Sequence, residues 1–271
     1  MGDKANPLGT YLKERRARLD PEAFGFSMSR RRTPGLRREE VAQLAHVSAT
    51  WYTWLEQGRG GAPSADVLDR LARTFALDDA EREHMFLLAQ ERPPKVRPKE
   101  PARVTPQLQR VLDSFADTPA IVKTPDWTVV AWNRAASAVL VDYAQLPERE
   151  RNVLRLMFGR RDKDRMPDWE AVARAVVATM RRDVLRAGMQ SQTEALVEDL
   201  SAQSEEFRQM WAEHDVRAHG EGVKSIRHPV AGRLDLEFST FAVDARPDLA
   251  MVVFNPATDE DRLKIRQLIA C

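Results

Sequence analysis

Six arginines, Arg30, Arg31, Arg32, Arg37, Arg38 and Arg59, stand within the first sixty residues of this 271-residue chain. A guanidinium presents several donors in a fixed fork that matches phosphate oxygens, so such a cluster points to anion binding rather than to bond making. Residues 1–38 hold ten Lys/Arg against four Asp/Glu, an excess of +6, whereas residues 107–271 come to −3. The whole chain is only +1. The asymmetry therefore carries the signal and the total does not.

Residue types that perform covalent or metal chemistry are sparse. His214, His219 and His228 are five and nine residues apart, on what reads as a helix end, a loop and a strand. With no cysteine near them, no metal site is expected. The pair His214-Asp215 resembles part of a phosphohydrolase metal motif, but a lone dipeptide is a frequent accident. The chain has no Gly-rich phosphate loop and no G-x-S-x-G elbow, so no catalytic residue is assigned. A different pattern occurs further on. Arg155 lies inside the apolar run Val-Leu-Arg-Leu-Met-Phe (153–158), and Phe207, Met210, Trp211 and His214 share one helical face. An ionisable group within apolar surroundings suits a pocket for an amphiphile with one polar end. Trp132, Arg155, Phe158, Phe207, Met210, Trp211 and His214 are the candidate ligand residues, with Arg155 as the anchor and Arg208 or His214 as substitutes. The competing reading is that Arg155 snorkels to solvent and the others are ordinary core.

The elements that must position these groups fall into two sets. Residues 91–106 carry five prolines and almost no apolar residues, and read as an extended spacer between domains 1–90 and 107–271. Before the spacer every periodicity is helical, over residues 8–19, 37–45, 48–57, 65–76 and 79–90. Val67, Leu68, Leu71, Ala72 and Phe75 make a buried stripe. Ser48 and Asp78 or Asp79 suit helix N-caps. After the spacer, a helix around 108–115 precedes a hairpin at 120–132, and Asn133 suits the cap of the helix that follows. Helices are expected at 148–158, 168–187, 193–200 and 204–214, strands at 223–228, 233–243 and 249–254, and a closing helix at 258–270. Strands at both ends with helices between predict an α+β domain, an antiparallel sheet covered on one face. The whole is a multidomain chain, an all-α bundle followed by an α+β domain.

Composition sets the remaining bounds. Hydrophobic residues make up 43% and charged residues 31%, a globular and not a disordered balance. No stretch approaches the roughly 20 apolar residues of a membrane span, so no membrane partner is expected. The first thirty residues lack the apolar core of a signal peptide, and the lone Cys271 allows no internal disulfide. A reducing, cytoplasmic setting is the simplest expectation.

The segment LRREEVAQLAHVSATWYTWLEQGRG (36–60) resembles the helix-turn-helix of the Xre/Cro/repressor family. That motif reads E-hydrophobic-A-x-x-x-G-V-S and then a helix ending E-x-G. Here it appears as Glu40-Val41-Ala42, Val47-Ser48 and Glu56-Gln57-Gly58, with His46 in place of the usual turn glycine. Histidine tolerates the left-handed conformation better than a β-branched residue does. The resemblance implies double-stranded DNA as partner, with Ala49, Thr50 and Trp54 facing bases and Ser48 and Thr53 at the rim. None of these is the Arg, Asn or Gln of bidentate base contacts. Phosphate contacts from Arg37, Arg38 and Arg59 then carry affinity, and Arg30–Arg32 suit a minor groove or a basic loop. Modules of this kind read short half-sites, so a homodimer on a pseudo-palindromic operator is expected.

Further stretches, TPAIVKTPDWTVVAWNRAA (118–136), RNVLRLMF (151–158), SEEFRQMWAEHDV (204–216) and RHPVAGRLDLEF (227–238), look like the MmyB-like regulators. The resemblance spans nearly the whole chain. It implies an Xre-type domain joined to a PAS-like ligand-binding domain, in a family linked to antibiotic and fatty-acid metabolism. It also implies a small amphiphilic ligand, a long-chain fatty acid, and no other cofactor. The alternative is a second domain that serves protein interaction or dimerisation without ligand.

Overall fold

The computed structural model describes residues 6–27, 31, 33–59, 61–94, 104–159, 163, 165–213, 221–244 and 246–270. Arg30, Arg32, His214, His219 and most of the proline-rich segment lie outside them. The chain divides into two compact units, Met1–Pro94 and Lys95–Cys271.

The first unit is helical. Helix α1 (Pro7–Arg18) starts at Pro7, whose missing N–H costs nothing there, with the Asn6 side chain accepting from Gly9 N at 3.0 Å. Helix α2 (Arg38–Leu44) is followed by α3 (Ala49–Glu56), α4 (Ala65–Thr74) and α5 (Asp79–Gln90). Ser48 caps α3 by accepting from Trp51 N at 3.0 Å, and Asp78 and Glu81 form a reciprocal cap on α5. Leu12, Val41, Ala45, Tyr52, Leu68 and Leu71 are fully buried together. The α2–α3 turn carries His46 at φ 52°, the left-handed state the motif requires.

The second unit places α6 (Pro106–Ser114) before strands β1 (Ala120–Lys123) and β2 (Val129–Trp132). Helices α7 (Arg134–Val139), α8 (Val153–Phe158), α9 (Trp169–Ala187), α10 (Gln190–Gln203) and α11 (Glu205–Ala212) follow. Strands β3 (Glu221–His228), β4 (Gly232–Ala242) and β5 (Ala250–Pro256) then precede α12 (Asp259–Ala270). The five strands form one antiparallel sheet in the order β2-β1-β5-β4-β3, with β1 pairing β5 through Ile121 opposite Val252. Asn133 holds its edge together. Its Oδ1 accepts from Ala120 N at 3.0 Å and Ala136 N at 2.9 Å, while Nδ2 donates to the carbonyls of Leu112, Phe115 and Thr118. Every polar atom of this buried amide is thereby satisfied.

Two expectations are corrected here. The sheet is not covered on one face alone. Ile121, Val252 and Phe254 join the main core under α8 and α9, whereas Ala120, Val122 and Val253 pack with Leu112 of α6 on the other side. Successive strand residues point to opposite faces, so a run buried at every position, as in β1, requires cover on both. The helix expected over 148–158 is broken into a 3-10 turn (Glu148–Glu150) and α8. Asn152 causes the break. Its side chain caps α8 at Leu154 N, and its Nδ2 donates to Asp126 O at 2.7 Å, tying the chain to the hairpin.

Candidate functional site

In the first unit the exposed side of α3 presents Thr50 and Trp54, one helical turn apart, and Trp54 is 50% exposed. About half of its surface is therefore open to solvent and half rests on its own unit. Ala49 is half-buried against the core, and Thr53 donates its hydroxyl to Ala49 O at 2.8 Å. Ser48 spends its side chain on the helix cap. Gly58 has φ 75° and ends the helix in the left-handed state. Arg59, next to it in sequence, and Arg37, just before α2, are exposed.

Two of the sequence-predicted phosphate ligands are committed elsewhere. Arg38 donates Nε to Glu56 Oε2 at 2.7 Å, and Arg31 pairs with Glu40 at 2.8 Å with its side chain only 7% exposed. Arg31 is therefore part of the connection that leads into α2 and is not free to enter a groove. Glu56 is the unforeseen centre of this unit. It is buried, accepts Arg16 Nε at 2.7 Å from α1 and Arg38 from α2, and so pins the end of α3 to both helices. Burial alone would push its carboxyl up, but the hydrogen bonds from Arg16 and Arg38 outweigh that and hold it below the usual carboxylate range. Gly9 is required at the same junction, because a Cβ there would fall 2.2 Å from the Glu56 carbonyl oxygen. The E-x-G signature marked Glu56 as a helix end; its arginine partners, 40 and 18 residues away, left no local signal.

The second unit contains an apolar cavity of about 340 Å³ between the sheet and the helices, at the small end of the range for ligand pockets. Its sheet side is built from Ile121, Val252, Phe254 and Phe238, and its helix side from Leu156, Met157, Val172 and Val176. Gly222 lets β3 pass close over Phe238, since a Cβ would stand 2.7 Å from the ring. The polar groups on the wall include Lys123, Arg165, Glu221 and Lys224. Lys123 is buried, with Nζ 3.2 Å from Asp183 Oδ2 and 4.0 Å above the Trp127 ring. The same carboxylate oxygen accepts Trp127 Nε1 at 3.1 Å. Trp127 holds φ 65°, a strained state for a bulky residue, which this interlock over-determines.

The cavity is not where the sequence suggested. Of the seven candidates, the six that lie among the described residues are not on its wall. Arg155 turns away from Leu156 and Met157 and pairs with Asp199 at 2.8 Å. On a helix, residues one apart face different sides, so the neighbours of Arg155 line the cavity while Arg155 cannot. Phe158, Phe207 and Trp211 stack in one aromatic cluster, with Phe158 and Phe207 centroids 5.1 Å apart, and Met210 is buried core. Trp132 packs on Tyr143 at 5.3 Å. Among the described residues no group of three or more His, Cys, Asp or Glu is arranged to hold a metal ion. No described helix is long and apolar enough to cross a membrane.

A helix-turn-helix with an exposed second helix, carried in one chain with a sheet domain that encloses an apolar cavity, defines a DNA-binding regulator with a ligand-binding domain. Comparison with protein families agrees at both ends: residues 7–85 match a helix-turn-helix domain, and residues 104–268 match the MmyB-like transcription regulator ligand binding domain. The chain belongs to the family of MmyB-like transcription regulators. No curated protein matches it significantly.

Proposed function

We propose that this protein is a one-component sensor: a homodimer that reads a pseudo-palindromic operator in the cytoplasm and changes its DNA affinity when the second domain takes up a long-chain fatty acid. The observation that carries the reading is the apolar cavity under the sheet, in a chain whose other unit exposes Thr50 and Trp54 on its second motif helix. Apolar walls with a few cationic groups suit a chain of methylenes ending in an acid, each buried CH₂ contributing up to about 0.8 kcal/mol before ordering costs. Sequence discrimination rests on Thr50 and Trp54 through thymine methyls and shape, and affinity on phosphates.

The test uses delipidated full-length protein and a labelled duplex selected from a random pool by the protein itself. Fluorescence anisotropy is followed while saturated acids of 8 to 18 carbons are added. A length-dependent change in DNA affinity is expected. If acids bind and DNA affinity does not move, the second domain is an interaction or dimerisation module. If no acid binds at any length, the ligand class is wrong.

A further inference from the structure

The sheet of the second unit ends on two edge strands, β2 and β3, and the two edges are finished differently. The β2 edge is closed: Val129 N donates to Arg151 O at 2.7 Å, and Thr128 bridges Asn152. The β3 edge is met at one end only, where Arg227 N donates to Arg165 O at 2.7 Å. That bond also fixes which way the strand faces. Backbone groups alternate between the two sides of a strand, so with Arg227 turned away from β4, those of Glu221, Val223 and Ser225 lie on the outer edge as well. Among the described residues no other segment hydrogen-bonds to them. Native sheets usually blunt such an edge with a proline or a bulge. Here the register with β4 runs unbroken from Glu221 to His228, no proline interrupts it, and Val223 in its middle is 62% exposed.

We propose that this edge is the dimer interface: β3 of one protomer pairs antiparallel with β3 of its partner, Val223 opposite the partner's Val223, so that the two sheets continue as one. This rests on the homodimer reading above and adds to it the surface. A two-fold axis at Val223 makes the contact isologous, and a pseudo-palindromic operator asks for such an axis. The side chains select the register. Lys224 shares the core-side face with Leu236, and a charge at such a place on an edge strand ordinarily discourages a neighbour. Centred on Val223, the pairing sets Lys224 opposite the partner's Gly222, which has no side chain to meet it; centred on Lys224, it would set the two ammonium groups together. On the outer face Glu221 and Arg227 are both exposed. In the Val223 register Glu221 lies opposite the partner's Ser225 and diagonal to the partner's Arg227, about 7–8 Å away and within reach of long side chains. The symmetry makes this complementary pair twice.

Sedimentation equilibrium of the full-length protein without DNA, over a concentration series, reads the dimer dissociation constant. Wild type is expected to dimerise. Val223→Pro removes an outward N–H that β4 does not use, and is expected to raise the constant about tenfold or more. Glu221→Arg sets like charges against each other across the axis and is expected to raise it about fivefold. Glu221→Arg with Arg227→Glu exchanges both signs and is expected to return it to within about twofold of wild type. Should Val223→Pro fail to fold, the charge exchange decides alone, because both of its residues are exposed. A constant unmoved by either folded single variant, or an exchange that does not restore a weakened dimer, overturns the interface and leaves the homodimer reading standing. Wild type that stays monomeric at every concentration brings down both.

Discussion

Arg38 Nε and Glu56 Oε2 lie 2.7 Å apart, joining the first helix of the DNA-reading motif to the last residue of the second. Arg16 closes on the same carboxylate from α1 with its side chain 9% exposed. The crossing of α2 and α3 is thus held by a buried ionic junction in addition to apolar packing. A group read in sequence as a phosphate ligand also braces the motif, with its side chain 39% exposed.

Glu56→Ala should therefore destabilise the first unit by about 3–5 kcal/mol, because it leaves Arg16 buried and unanswered. Arg38→Gln should cost much less, its side chain being 39% exposed. The Glu56 pKa is depressed on folding, so its contribution is present above the ordinary carboxylate value of about 4.3 and is lost as pH falls through the lower folded value. Denaturant melts between pH 3 and 7 should show an acid-side loss in wild type that is smaller in Glu56→Gln.

DNA affinity should separate the arginines. Arg59→Gln and Arg37→Gln should each lower the slope of log K against log salt by about one unit and weaken all sequences alike. Arg38→Gln should lower the slope less. A salt titration in which Arg38→Gln matches Arg59→Gln would mean that the Glu56 pairing opens on DNA.

Trp54→Ala should leave thermal stability within about 0.5 kcal/mol, since half of the indole is in water, yet reduce the ratio of specific to non-specific binding. Thr50→Ala should act in the same direction through one base pair, by about 1–3 kcal/mol. Thermal melts together with competition binding check both. A large loss of stability in Trp54→Ala would place the side chain in the fold and not at the DNA.

Asp183→Ala should cost about 3 kcal/mol, because it strands the Lys123 ammonium and the Trp127 N–H together. Lys123→Met should be near neutral or stabilising, and should rescue most of the loss in the double variant. Burial pushes the Lys123 pKa down, and Asp183 offsets that only in part. The unfolded chain then binds the proton more tightly, so stability should rise with pH above the folded pKa until the free lysine value of about 10.4. Denaturant midpoints taken from pH 7 to 10 should show that rise in wild type and not in Lys123→Met.

Gly222→Ala should drive the Phe238 ring into the cavity, since the new Cβ starts 2.7 Å from Cζ. Overpacking of this kind typically costs about 1–3 kcal/mol. Binding of the longest acids should fall most and the preferred chain length should shorten, as read by titration across the length series. Uniform weakening at every length would place Phe238 away from the alkyl chain.

Much of the fold was legible locally. Ser48, Asp78 and Asn133 cap the helices their side chains announced, because capping is a contact between residues two or three apart. His46 takes the left-handed turn for the same reason, and the exposed pair Thr50 and Trp54 follows from helical spacing. The site in the second domain was not legible. Arg155 stood out because it broke an apolar run, while Lys123 passed unremarked as the end of a strand and Arg165 as one charge among several.

The amino-acid sequence by itself determined the family, the two kinds of domain and the position of the reading helix, all of which are written in patterns that repeat within a turn or two of chain. Only the tertiary structure decided which charges are paired inside the fold and which stay exposed. Arg38 differs from Arg59, and Arg155 from its cavity-lining neighbours Leu156 and Met157, by what folding brings opposite them: Glu56 eighteen residues away in one case, Asp199 forty-four residues away in the other. A charge takes its role from its partner and its solvent exposure, and both are set by contacts between segments whose separation along the chain leaves no mark in either segment.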